Sequence, residues 1–230
     1  QKGLCTYGVL PLENSTAGSV NAVYDLMKKY NFRIVKSLRL PVKHCLLVNK
    51  GAKLSDIKEI TSHEQALSQC AEYLKKFKDC KITPDENTAV AAQRLVLSGR
   101  TDLAVIASEK SGEIYGLSAL ESGINDNPGN YTRFILIAKD LRLYDKADKI
   151  SVMMTLPHET GSLNKVLAKF TSVGLNLTKL ESRPMPQTAF EFLFYFDFEG
   201  DVSSNEVLNL IAELDNSTGL FVFLGAYAEK

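Results

Sequence analysis

The sequence has no surplus of either charge: Lys+Arg and Asp+Glu each number 27 among 230 residues. A chain without excess positive charge offers little to a phosphate backbone or an anionic membrane surface, so neither nucleic acid nor membrane is an expected partner. It contains no apolar run near the roughly 20 residues that cross a bilayer. Gln1-Lys2-Gly3-Leu4-Cys5 is neither a basic region nor the start of an apolar signal core. The four cysteines, Cys5, Cys45, Cys70 and Cys80, form no C-x-x-C pair, and the three histidines, His44, His63 and His158, add no metal-ligand spacing. The expectation is a cytoplasmic protein with reduced thiols, no metal and no cofactor. Internal repeats and low-complexity tracts are absent too. What remains is ordinary globular composition, 45% hydrophobic and 23% charged, which excludes disordered, collagenous and disulfide-scaffold classes. The length favours two domains over one core.

Apolar stripes at i, i+3, i+4, i+7 alternate with short apolar runs. Val20, Val23, Tyr24 and Met27 make one helical stripe, Leu67, Cys70, Ala71 and Leu74 another, and Ala91, Ala92 and Leu95 a third. Between them, the runs near residues 7–12, 32–40, 45–48, 81–83, 103–106 and 134–138 read as strands. Such alternation predicts an α/β fold with mostly parallel pairing and ligands outside the carboxyl ends of the strands. Around Asp140 to Lys149 the composition becomes charged and the pattern changes. Strand-like 150–156, a helix stripe on Leu163, Val166, Leu167 and Phe170, and strand-like 175–180 follow. Phe190, Phe192, Phe194, Phe196 and Phe198 alternate as in a strand with one buried face. A helix stripe on Val207, Leu210, Ile211 and Leu214 and a last strand at 220–224 complete a βαββαβ order, the ferredoxin-like arrangement. The expected domains are 1–145 and 146–230.

Polar turns leading from strand to helix are the candidate sites. Asn14-Ser15-Thr16 precedes a helix expected near Gly18, and either caps it or presents donors to a carboxylate. Ser62-His63-Glu64-Gln65 opens a second helix, on which Gln69 stands about two turns beyond Ser62. Asn87-Thr88 and Ser108-Glu109 mark further turns. Near residue 130, Thr132 suits a strand, and Arg133 is either ion-paired or a ligand cation.

In this order the pieces closely resemble the prephenate dehydratase family. Pro11-Leu12-Glu13-Asn14-Ser15 matches its Pro-x-Glu-Asn-Ser signature, Ser108 through Tyr115-Gly116-Leu117 its Ser…Tyr-Gly-Leu stretch, and Thr132-Arg133-Phe134 its Thr-Arg-Phe signature. Gly161-Ser162-Leu163 is similar to its Gly-Ala-Leu and Glu181-Ser182-Arg183-Pro184 to its Glu-Ser-Arg-Pro, the marks of a phenylalanine-sensing ACT domain. The segments around Tyr24-Asp25-Leu26 and His44-Cys45-Leu46-Leu47-Val48 look most like members fused to a chorismate mutase domain. The family's catalytic domain opens with Gly-Pro-x-Gly-Thr-Phe, upstream of where this sequence begins, so an N-terminal segment is expected to be missing.

The resemblance implies a two-lobed, periplasmic-binding-protein-like (type 2) catalytic domain with its site between the lobes, followed by an ACT domain. The implied activity is decarboxylating dehydration of prephenate to phenylpyruvate, inhibited by L-phenylalanine, in a homodimer or homotetramer. It makes Thr132 the catalytic residue, and Asn14, Ser15, Ser62, Gln69, Thr88 and Arg133 substrate-binding residues. Glu13 is expected to be structural, since a free carboxylate would repel a dianion. His63 is expected to pack or cap. Phenylalanine is expected at Gly161, Ser162, Leu163, Asn176, Glu181, Ser182, Arg183 and Pro184, with an ion-paired strand end as the plain alternative for Glu181 and Arg183. The rival readings are an arogenate dehydratase, a catalytically inactive phenylalanine-binding regulator, and a solute-binding protein.

Overall fold

The computed structural model describes residues 5–144, 146–185 and 191–230. Phe190 and Asp145, at the expected domain boundary, lie outside the described residues. The chain divides into two compact units, one of Gln1–Leu40 with Thr132–Lys230 and one of Pro41–Tyr131.

The first unit begins with β1 (Tyr7–Asn14), a two-residue β2 (Gly18–Ser19), α1 (Asn21–Lys29) and β3 (Arg33–Pro41). No helix starts at Gly18. Asn14 Oδ1 instead accepts from the backbone N–H groups of Thr16 and Ala17 at 3.0 and 2.9 Å, which turns the chain back so that Gly18 pairs with Asn14. An asparagine that bonds the backbone two and three residues on makes a turn in place of a helix cap. α1 starts later and buries Val23, Tyr24 and Met27 of the expected stripe, with Val20 left as its N-cap.

In the second unit, β4 (Cys45–Val48), β5 (Glu59–His63), α2 (Glu64–Ser68), α3 (Ala71–Leu74), β6 (Lys81–Asp85), α4 (Thr88–Ser98), β7 (Leu103–Ala107), α5 (Glu109–Tyr115) and β8 (Ser118–Ser122) follow in order. The sheet order is β6-β5-β7-β4-β8. β5 runs parallel to β6 and β7, but β4 is antiparallel to both β7 and β8, so the sheet is mixed where mostly parallel pairing was expected. The stripe from Leu67 to Leu74 is split into α2 and α3. Asp126 N–H bonds the Gln69 carbonyl at 2.8 Å, and the Asp126 carboxylate accepts from Glu72 N–H at 3.1 Å. A tertiary partner thus ends one helix and starts the next. Ala91, Ala92 and Leu95 of α4 are fully buried, as their spacing predicts.

The chain returns to the first unit through β9 (Tyr131–Ala138), giving a four-stranded sheet β2-β1-β9-β3. Then come β10 (Lys149–Thr155), α6 (Ser162–Ser172), β11 (Leu177–Pro184), β12 (Phe192–Glu199), α7 (Asn205–Ser217) and β13 (Phe221–Tyr227). They form a second sheet of order β11-β12-β10-β13, antiparallel throughout, in the βαββαβ order expected. Ile150, Val152, Phe196 and Phe198 pack on Val166 and Phe170 of α6 and Leu210 and Leu214 of α7. The alternation on β12 predicts one buried face, yet Leu193 and Tyr195 are buried as well, in a core with Leu12, Tyr24 and Ile34. The second face is covered because this sheet packs against β1, α1 and β3 within the unit. Overall the protein is an α/β fold with mixed sheets.

Candidate active site

β1 and β9 pair antiparallel, with a register shift between Pro11 and Glu13 that leaves Leu12 as the extra residue. A bulge re-aims the residues beyond it. Here it sets Asn14 opposite Thr132 and Glu13 opposite Arg133; an unbroken ladder would instead have put the Glu13 carboxylate opposite Thr132. Asn14 Nδ2 donates to Thr132 Oγ1 at 3.0 Å. Asn14 is buried and Thr132 half-buried. With a lone pair of Oγ1 engaged by Asn14, the Thr132 O–H is left to donate, and no acceptor among the described residues takes it. Ser15 lies exposed in the turn beside Asn14.

Successive strand residues face opposite sides of a sheet, so Arg133 points away from Thr132. Its guanidinium is 2% exposed and enclosed by protein groups. It meets Asp197 Oδ2 at 2.6 Å, Glu229 Oε1 at 2.7 Å, Tyr227 Oη at 2.9 Å, Ser37 Oγ at 3.0 Å and Glu13 Oε1 at 3.1 Å. Burial works against its charge, but Tyr227, Asp197 and Glu229 outweigh that and raise its pKa further. Arg133 is thus an ion-paired structural residue here, which corrects its assignment to the substrate. Glu13 is structural as expected. Burial works to raise its pKa, but Lys179 at 2.8 Å and Arg133 together bring it below the usual carboxylate value.

In the second unit the parallel strands β5, β6 and β7 end together, and each feeds a helix. His63 caps α2, its Nδ1 accepting from Gln65 N–H at 3.2 Å. Asn87 caps α4 through Val90 N–H at 2.8 Å, leaving half-buried Thr88 in its first turn. Ser108 caps α5 through Ser111 N–H at 3.1 Å. Because β4 runs antiparallel to β7 with Cys45 opposite Ala107, His44 joins the same edge. Ser62 is fully buried, and its hydroxyl donates to the Ile106 carbonyl at 2.5 Å. That hydrogen ties β5 to β7, so the structure corrects the expectation that Ser62 offers it to a ligand. Gln69 sits at the end of α2, not at its start, and its Oε1 is 3.0 Å from His44 Nε2. His44 carried no signal in the sequence as a site residue, since neither helical nor strand periodicity marks a residue held by a loop 80 positions away.

At the motifs expected to meet phenylalanine, Gly161 precedes α6 in the left-handed conformation at φ 84°. Ser162 and Leu163 open the helix, and Asn176 Nδ2 bonds Glu199 at 3.2 Å. Glu181 accepts from Ser19 Oγ at 2.5 Å, and Arg183 makes paired bonds to Asp25 at 3.1 and 3.2 Å. Arg183 is thus ion-paired with Asp25, and Glu181 also lies 3.6 Å from Lys179 Nζ, in keeping with the ion-paired alternative. Ser182 and Pro184 are exposed on β11. Among the described residues no cluster of His, Cys, Asp or Glu is arranged to hold a metal ion, and no helix is long and apolar enough to cross a membrane.

Residues 1–142 match the model of the prephenate dehydratase family. The chain belongs to that family. It is 36% identical over 99% of its length to arogenate dehydratase/prephenate dehydratase 2 of Arabidopsis thaliana, and 34% identical over its whole length to the bifunctional chorismate mutase/prephenate dehydratase of Enterobacter agglomerans. It spans 62% and 60% of those relatives. Among solved structures, prephenate dehydratase of Arthrobacter aurescens in complex with L-Phe superposes with a TM-score of 0.87 at 32% identity, covering 97% of this chain and 75% of that one. GqqA, described as a novel type of quorum-quenching acylase, superposes with a TM-score of 0.88 at 26% identity over 98% of this chain and 83% of that one. The family match places the Asn14–Thr132 pair within the dehydratase segment.

Proposed function

We propose that the protein is a prephenate dehydratase regulated by L-phenylalanine, and the Asn14–Thr132 pair is the observation that carries the reading. In the reaction the ring C–OH bond breaks and hydroxide leaves as water. The ring carboxylate departs as carbon dioxide, and its bonding electrons complete the aromatic ring. The leaving hydroxide needs a proton or a strong hydrogen bond at the moment it departs. Thr132 is suited to that: Asn14 holds its oxygen and turns its O–H outward, a preorganised donor that needs no reorientation. Asn14 and Ser15 in the first unit, and independently Gln69 and Thr88 in the second, are proposed as neutral donors to carboxylates, each charge-assisted bond contributing roughly 1.5–3 kcal/mol.

The description of one similar structure as an acylase raises a different chemistry, for which the Thr132 hydroxyl would have to serve as a nucleophile. Such a nucleophile requires an adjacent base, and the partner of Thr132 is a carboxamide that donates. The pair is built to give a hydrogen bond, which favours dehydration. The name of the Arabidopsis relative supports arogenate as a second substrate, differing from prephenate only in the side-chain amino group.

The segment from residue 146 onward is proposed as the ACT sensor. Its βαββαβ order and the L-Phe complex of the Arthrobacter relative support this. Gly161, Ser162, Leu163 and Asn176, with Ser182 and Pro184, would meet the amino acid between sensors of a homodimer or homotetramer. Coupling of about 1–3 kcal/mol would suffice for inhibition.

The test is Thr132→Val beside Thr132→Ser. The valine variant is expected to lose about 10²-fold or more in kcat with melting temperature and L-phenylalanine binding unchanged, while the serine variant keeps part of the rate. Undiminished turnover in Thr132→Val would overturn the role.

A further inference from the structure

We infer that His44 is a positioning residue that fixes which end of the Gln69 carboxamide meets the ligand. This rests on the reading of Gln69 as a donor to a substrate carboxylate. A carboxamide has an accepting oxygen and a donating NH2 at nearly equal reach, and a carboxylate is bound by one end and repelled by the other. A glutamine free to turn about its last bond would spend part of its time presenting the wrong end.

His44 Nε2 lies 3.0 Å from Gln69 Oε1. The oxygen only accepts, so the ring carries its proton on Nε2, and the bond sets histidine tautomer and amide sense together. With Oε1 committed, Nε2 of Gln69 is the end left to bind; it has no partner among the described residues, and the residue is half-buried. Turning the amide over would bring two donors face to face unless the ring proton moved to Nδ1 as well, so amide sense and ring tautomer are set as a pair.

Both residues of this pair are also held through their backbones. His44 is 7% exposed. Its N–H donates to Asn125 Oδ1 at 2.7 Å and its carbonyl accepts from Ile124 N–H at 3.1 Å. Asn125 is itself fixed, donating through Nδ2 to the Val42 carbonyl at 3.0 Å. The next residue, Asp126, bonds the Gln69 carbonyl at 2.8 Å. One three-residue segment, 124–126, therefore clasps the backbones of both residues and holds ring and carboxamide in register.

The test uses the full chain and prephenate kinetics for Gln69→Ala, His44→Leu, His44→Gln and the double variant His44→Leu/Gln69→Ala. Gln69→Ala is expected to raise KM about tenfold with kcat little changed, the signature of lost ground-state binding. His44→Leu should raise KM severalfold. His44→Gln, whose amide N–H replaces the ring donor, should stay within about twofold of the parent, and His44→Leu should add nothing once Gln69 is absent. A normal KM in His44→Leu alongside a raised KM in Gln69→Ala overturns the inference alone. An equal effect of His44→Leu with and without Gln69 also overturns it, since the histidine would then act through the fold. A Gln69→Ala variant with unchanged KM overturns the reading of Gln69 and the inference with it. Independently of turnover, nitrogen-15 shifts of the His44 ring must report an Nε2–H tautomer; protonation on Nδ1 alone contradicts the geometry.

Discussion

Thr132 and Arg133 show how one strand serves two ends. Thr132 faces a polar turn with its hydroxyl oriented by Asn14, and Arg133 faces the interior, where Glu13, Asp197 and Glu229 surround it. Taking a partner from a buried ion pair costs about 3–5 kcal/mol because the remaining charge is stranded. The network also sets an acid limit. Burial tends to raise the pKa of Glu229, yet Lys149, Arg133 and Arg39 outweigh it and lower the value, as Lys179 and Arg133 do for Glu13. A carboxylate with a depressed folded-state pKa contributes stability that is complete above its unfolded value, near 4.3. That contribution is lost as pH falls through the folded value. Stability should therefore drop steeply below about pH 4, and Glu13→Gln or Glu229→Gln should flatten the slope of melting temperature against pH in that range. An unchanged slope would show that these carboxylates do not govern acid unfolding. The Thr-Arg-Phe motif was visible in the sequence, but the fate of its arginine was not. Its partners Asp197 and Glu229 come from β12 and the C-terminus, and no local pattern marks them.

Among elements, β13 approaches β3 closely at Gly225. A Cβ on Gly225 would lie 2.1 Å from the Ile34 carbonyl oxygen, whereas one on Gly161 meets nothing within 4 Å. Both glycines have positive φ, 156° and 84°, so alanine strains the backbone at each. Only at Gly225 must two strands also separate. Gly161→Ala should cost about 1–2 kcal/mol, and Gly225→Ala at least about 3 kcal/mol, as overpacking adds to strain. Urea unfolding of the two variants measures the difference; equal costs would contradict the close approach. Elements with strong periodicity were legible beforehand, as α1, α4 and the βαββαβ segment show. The break between α2 and α3 was not, because Asp126 imposes it from a distant loop. The Leu12 bulge was equally hidden: Pro11 to Asn14 reads as a plain strand end, and only pairing with β9 reveals which residue is extra.

For the whole molecule, alternation of strands and helices announced an α/β fold, but periodicity carries no information on strand direction. β4 accordingly turned out antiparallel to both its neighbours, β7 and β8, in the five-stranded sheet of the second unit. The same topology gathers His44, His63, Thr88 and Ser108 at one edge of that sheet, at the carboxyl ends of β5, β6 and β7, where an α/β sheet binds its ligand. The central proposal, a prephenate dehydratase acting through Thr132 held by Asn14, is tested most directly by the 230-residue chain itself. Incubated with prephenate at neutral pH, the purified protein is predicted to form phenylpyruvate well above the uncatalysed rate. L-Phenylalanine should suppress that rate. A folded chain that binds L-phenylalanine yet yields no product above background would contradict the claim and leave a regulator in its place.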